Sequence, residues 1–204
     1  MKCILCKSPQ LRQIERVNKD KLSFLYKKAF GGDVSKILLE NLIFWHCESC
    51  DLRFFSLENG EIPSGDNDFY NALNKIEWYY MSEKNEYHFA KNFINDSTKV
   101  LEVGCGKAAF REFLPQGARE KYIGLEFSSD AKEMAAKNNI NIQNIAIEDF
   151  AKSHKGEFDV ACSFQVLEHV SNPNEFIKAQ IECLRNAENI SRESAINGGG
   201  GIVN

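Results

Sequence analysis

The stretch from Val100 to Phe110, VLEVGCGKAAF, restricts the fold of this chain more than any other. An apolar strand runs directly into two closely spaced glycines, and helix-forming residues follow. Turns of this kind open the ligand-binding edge of an α/β sheet. The rhythm then repeats. AAFREFL reads as a helix, YIGLEF as a second strand, and SDAKEMAAKNN as a helix capped near Ser129 or Asp130. NIQNIAI and FDVACSF read as a third and a fourth strand. NPNEFIKAQIECL opens a helix with Asn172 at the cap, Pro173 in the first turn and Glu175 three residues after the cap. Strands alternating with helices imply a parallel sheet joined by right-handed crossovers. Four strands make a thin sheet, and GIVN at the end of the sequence is the candidate for a fifth.

The glycine turn by itself leaves the ligand open. Gly104, Gly106 and Ala109 fit G-x-G-x-x-A, so a dinucleotide-binding oxidoreductase is a fair rival. Glu126, at the end of the second strand, suits ribose hydroxyls in either case. Glu102 separates the two readings. It lies two residues before the first glycine, near the carboxyl end of its strand. A carboxylate about 4 Å from a pyrophosphate costs several kcal/mol at an effective dielectric of about 20. S-adenosylmethionine instead carries a protonated amino group and a sulfonium, and an acid at this position would hold that amino group.

Four stretches in order, LEVGCGKAAF, IGLEFSSDAKEMA, NIAIEDF and FDVACSFQVLEHVSNP, resemble the successive motifs of a class I S-adenosylmethionine-dependent methyltransferase. FQVLEHVSNP is similar to the small-molecule methyltransferases of the ubiquinone-biosynthesis type. The resemblance covers about Lys99 to Leu184 and implies a Rossmann-like parallel sheet. It implies that Glu102, Gly104, Cys105 and Gly106 line the methionine end of the cofactor. Glu126 would hold the ribose, and Phe127 would lie beside the adenine. Ile147, Glu148 and Asp149 fall where the family contacts adenine, and Gln165 falls at the cofactor's edge. The family pattern often has a third glycine where this chain has Ala108. A solvated helix start explains Glu148 and Asp149 equally well, and Cys105 reads as a small packing residue more than as a nucleophile.

Methyl transfer is an in-line displacement that rewards alignment, and a hydroxyl acceptor gains from a base near neutrality. His169, in VLEHV after the fourth strand, is the candidate base, against a plain loop-shaping role. Upstream, Tyr79, Tyr80 and His88 read as core aromatics or as a lid.

Seven cysteines include two C-x-x-C pairs, Cys3 with Cys6 and Cys47 with Cys50. Two such knuckles supply four thiolates and close a tetrahedral site, which implies structural zinc. HCESCDLRFF resembles the second knuckle and strand of a zinc ribbon that precedes some class I methyltransferases, although the intervening segment is long for a ribbon. His46 adjoins a ligand without being needed as one.

These features divide the chain into a zinc-ribbon-like unit at 1–65, a helical lead-in at 66–98 and the cofactor-binding domain at 99–204, with that domain read as incomplete. Net charge is −4, which argues against a broad nucleic-acid footprint despite the basic NKDKLSFLYKK. No apolar run is long enough to cross a bilayer. The start, MKCILCKSPQ, lacks the apolar core of a secretory signal, so a cytoplasmic setting is expected. The sequence therefore predicts a methyltransferase acting on a small-molecule acceptor, oxygen foremost. A zinc-dependent binding module with an inactive cofactor fold is the alternative from another class.

Overall fold

A computed structural model describes residues 1–65, 81–127, 140–185 and 202–203. The chain forms two compact units, one of Met1–Tyr79 with His169–Asn174, the other of Tyr80–Glu168 with Glu175–Asn204. The proposed capping residues Ser129 and Asp130, their helix, and Tyr79 and Tyr80 lie outside the described residues.

The first unit is a three-stranded antiparallel sheet, β1 (Leu11–Val17), β2 (Leu42–Cys47) and β3 (Arg53–Leu57), with β2 in the middle. The long segment between the cysteine pairs is occupied by α1 (Lys19–Phe30). Asn18 caps α1 by accepting from the Lys21 N–H, and Gly31 ends it in the left-handed region at φ 68°. The basic run NKDKLSFLYKK is thus this helix, held by Leu22 and Tyr26 against a cluster of Val34, Leu38, Leu42 and Leu57. A second cluster surrounds Cys3, Cys47 and Phe54.

The second unit is a parallel sheet whose strand order is β6-β5-β4-β7-β8. Its strands are β4 (Val100–Val103), β5 (Ile123–Leu125), β6 (Ile142–Gln143), β7 (Val160–Cys162) and β8 (Ile202–Val203). Ile202–Val203, within GIVN, supply the fifth strand, parallel to β7. The third strand is shorter than NIQNIAI suggested, because Ile147 already belongs to a helical turn. β4 is buried throughout and lies between β5 and β7, where the chain reverses its direction of travel across the sheet. Ligands bind at such a switch point in open α/β sheets.

The helices are short. α2 (Asn85–Ala90) precedes β4, and α3 (Gln116–Glu120), α4 (Ile147–Phe150) and α5 (Pro173–Cys183) follow it. AAFREFL is not the α-helix its composition suggested. It is a 3₁₀ turn over Ala109–Phe113, entered from Ala108 at φ 57° and closed before Pro115. Ala108 adopts here the left-handed backbone that glycine takes freely, which accounts for the family's glycine at this position. The core on this side is aromatic: Tyr87 packs on Phe110, Phe113 and Phe164. At the far end of β7, Asp159 accepts from the Lys99 N–H at 2.7 Å and pairs with Arg185 at 2.7 Å, a purely structural clamp.

Candidate functional sites: a cofactor cradle and a four-cysteine centre

The cradle is built on the carboxyl ends of β4 and β5. Gly104 follows β4 at φ 73°, and a Cβ there would collide with Val166 Cγ2. Only glycine permits both the turn and the contact. Gly104 and Cys105 donate their backbone N–H groups to Leu125 O, tying the loop to β5. The Gly106 N–H donates to Glu126 Oε2 at 2.8 Å, so the acid at the end of β5 already spans to the glycine loop. Asn144 holds the backbone carbonyls of Glu126 and Phe127 from the next strand.

Glu102 is the unusual group. Its side chain is 1% exposed, and its Oε2 accepts from the Tyr122 hydroxyl at 2.5 Å. Burial pushes its carboxyl up to about 8, against the lowering effects of the Tyr122 hydrogen bond and the Lys84 charge, and Glu126 adds to the rise. A buried acid in this state favours a cationic ligand that stabilises its ionised form. Lys84 was missed at the level of sequence. It stands 81 positions from Gln165, yet its Nζ donates to Gln165 Oε1 at 3.3 Å. Gln165 in turn donates to Glu86 Oε1 at 3.2 Å and holds a left-handed backbone at φ 57° in the loop after β7. Glu102, Lys84 and Gln165 thus bring a carboxyl, a cation and an amide to one end of the sheet. Nothing local in SEKNEYH distinguishes Lys84 from any exposed lysine.

Other expectations fare differently. Cys105 is buried and packs beside Gly124, as a small core residue does. Ile147 is buried, Asp149 pairs with Lys152 at 2.6 Å, and Glu148 is exposed on the same short turn. Phe127 is 63% exposed, at the rim of the cradle. His88 bonds Glu83 and stacks edge-on against Phe113. His169 ends a 3₁₀ turn, Leu167–His169, and the segment it begins groups with the first unit.

The four-cysteine centre is assembled by two matching turns. In the first, the Cys3 N–H donates to Ser8 O and the Lys7 N–H to Cys3 O. In the second, the Cys47 N–H donates to Leu52 O and the Asp51 N–H to Cys47 O. Lys7 and Asp51 occupy equivalent left-handed positions at φ 61° and 62°. The four Sγ atoms lie within 4.8 Å of one another, with Cys3–Cys50 at 3.6 Å and Cys6–Cys47 at 3.5 Å. Those separations are far too long for disulfides, whose S–S bond is about 2.05 Å. Zn–S bonds of about 2.3 Å place tetrahedral sulfurs about 3.8 Å apart, so the donor set fits zinc. Burial raises the Cys47 thiol, but the N–H groups of Ser49 and Cys50 and the neighbouring thiols outweigh it and bring it to about 6. His46 is engaged elsewhere, between Arg12 and Asp51.

Residues 75–189 match the family described as methyltransferase domain. A ubiquinone biosynthesis O-methyltransferase of Glaesserella parasuis serovar 5 is 32% identical over 127 residues, covering 57% of this chain and 50% of that protein. A mitochondrial one from Dictyostelium discoideum is 34% identical over 109 residues, covering 46% of this chain and 33% of that protein. The chain therefore spans half or less of these relatives' lengths. Among solved structures, a SAM dependent methyltransferase of Archaeoglobus fulgidus aligns with a TM-score of 0.46 at 17% identity, over 57% of this chain and 54% of that one.

Proposed function

The chain belongs to the methyltransferase-domain family, and from that premise we propose that it binds S-adenosylmethionine and transfers its methyl group to a small-molecule oxygen acceptor. The observation that carries the proposal is Glu102, a buried carboxylate beside the glycine turn at the switch point of the sheet. S-adenosylmethionine, when bound, supplies a methyl group on a sulfonium. The protein's part is to hold and align. Glu102 takes the ligand's ammonium, Lys84 and Gln165 take its carboxylate, and Glu126 takes the ribose hydroxyls. Gly104 and Gly106 let the backbone come close. Phe127 covers the adenine, with Ile147 and the start of α4 beneath it.

The oxygen acceptor rests on relatives named as O-methyltransferases. His169, in the turn that follows β7, is the proposed base for the acceptor hydroxyl. His169→Asn should then lower turnover and leave cofactor affinity unchanged. Zinc on Cys3, Cys6, Cys47 and Cys50 is the proposed structural metal of the first unit, supported by the sulfur separations. Four reduced thiols suit a reducing, cytoplasmic compartment. No helix among the described residues is long and apolar enough to cross a membrane.

Calorimetric titration with S-adenosylhomocysteine tests the core of this reading. The intact chain should bind, and Glu102→Gln should bind roughly thirtyfold more weakly, as expected when a hydrogen bond between charged groups is lost. Tight binding of NADH with none of S-adenosylhomocysteine would overturn the reading in favour of an oxidoreductase.

A further inference from the structure

Tyr122 lies immediately before β5, on the same face of the strand as Gly124, two residues on. Gly124 pairs directly with Glu102 across the parallel sheet. A Cβ on Gly124 would stand 2.5 Å from Cys105 Sγ and 3.1 Å from the Tyr122 hydroxyl. The missing side chain is what leaves room for that hydroxyl to cross to Glu102. The contact is therefore built from three positions: a tyrosine long enough to reach, a glycine that vacates the path, and a carboxylate on the next strand. Tyr122 and Glu102 are 3% and 1% exposed.

The Tyr122 hydroxyl engages one oxygen of the Glu102 carboxyl, Oε2. We infer that Tyr122 is a positioning residue for the cofactor: its hydroxyl fixes the Glu102 carboxylate so that one oxygen faces the ligand's ammonium, and it couples cofactor uptake to release of a proton from Glu102. The inference rests on the methyltransferase reading above.

The ionisable groups around the carboxyl are few. Lys84, from the segment before α2, and the Tyr122 hydroxyl favour its charged form, and Glu126, after β5, opposes it. Cys105, Cys162 and Tyr87 face it as neutral groups, since burial holds each well above its ordinary range. Tyr122 stays a donor for the same reason, with burial and the Glu102 charge both raising it. The ligand-free site thus holds Glu102 largely neutral at pH 7, and an arriving ammonium draws out its proton. Removing the tyrosine hydroxyl takes away a donor that favours the ionised form. Ionisation in the Tyr122→Phe variant then needs a higher pH.

The test is calorimetry of the zinc-loaded full chain with S-adenosylhomocysteine between pH 6 and 9, in buffers of differing ionisation enthalpy. Wild type should bind more tightly as pH rises, levelling off near pH 8, and should release close to one proton at pH 7. Tyr122→Phe should bind about tenfold more weakly at pH 7, for a displacement of about one pH unit, and recover toward wild type at pH 9. Glu102→Gln should bind weakly with no pH dependence, and adding Tyr122→Phe to it should change nothing further. Methylthioadenosine, which lacks the ammonium, should bind all these proteins without the pH effect. A loss in Tyr122→Phe that is equal at every pH, or that adds to the loss in Glu102→Gln, would reduce Tyr122 to packing and overturn the inference. Absence of binding by wild type at every pH would instead overturn the methyltransferase reading on which it rests.

Discussion

The two units solve the problem of holding a polar site in opposite ways. In the first, two turns of the same geometry bring four sulfurs together, and the surrounding apolar clusters are small. In the second, an extensive aromatic and aliphatic core surrounds the sheet, and among the described residues one carboxyl, that of Glu102, is buried within it. With zinc bound as proposed, the first unit would rely on its site for order, and the second would bear the cost of its site for function. A small core has too little apolar area to offset its chain entropy without a staple, whereas a larger one tolerates a carboxyl whose charged form is costly until a ligand arrives.

Removing the metal should separate the two units most sharply. Chelation, or Cys47→Ser, should unfold the first unit, seen as loss of protection of β1–β3 in hydrogen exchange. S-adenosylhomocysteine affinity should change little. Equal protection with and without zinc would break the contrast and leave the four thiols as an ordinary core.

The next largest effect concerns pH. The folded state raises the Glu102 carboxyl from its ordinary 4.5 to about 8, so the fold prefers it protonated. The stability this group allows is fully present below the ordinary carboxyl range. It is lost as pH climbs through the window from about 4.5 to 8, at up to ~1.4 kcal/mol per pH unit. Urea unfolding of the ligand-free protein at pH 5, 6.5 and 8 should show this decline, and Glu102→Gln should flatten it. An unchanged slope in the variant would assign the decline to other groups.

The smallest effect falls at Gln180 on α5. It is fully buried, and neither side-chain polar atom has a hydrogen-bond partner among the described residues. Gln180→Met should stabilise the second unit by about 1 kcal/mol by removing that unmet demand, measured as a rise in its melting temperature. A fall would show that the amide is satisfied in solution.

Much of this arrangement was legible in the sequence where the physics is local. Paired cysteines announce themselves by spacing, and Glu102 by its awkward place before a glycine turn. Pro173 marks the first turn of α5 as a proline should. The failures are as instructive. The helical composition of AAFREFL lost to the left-handed entry at Ala108 and the stop at Pro115. The length between the knuckles looked excessive because α1 was read as a basic cluster rather than as an insertion with its own cap residues. Lys84 and Tyr122 were invisible because their meaning depends on chain crossings and strand register, not on neighbours in sequence.

The matching knuckles have a further consequence when the chain is considered as a polymer. Cys6 and Cys47 are 41 positions apart. A zinc ion held by both would withdraw about 3 kcal/mol of closure entropy from the open chain. Everything threaded between them, β1, α1 and nearly all of β2, would then search for its place inside a ring rather than along a free strand. Such a clasp would act on the disordered ensemble before it acts on the finished sheet.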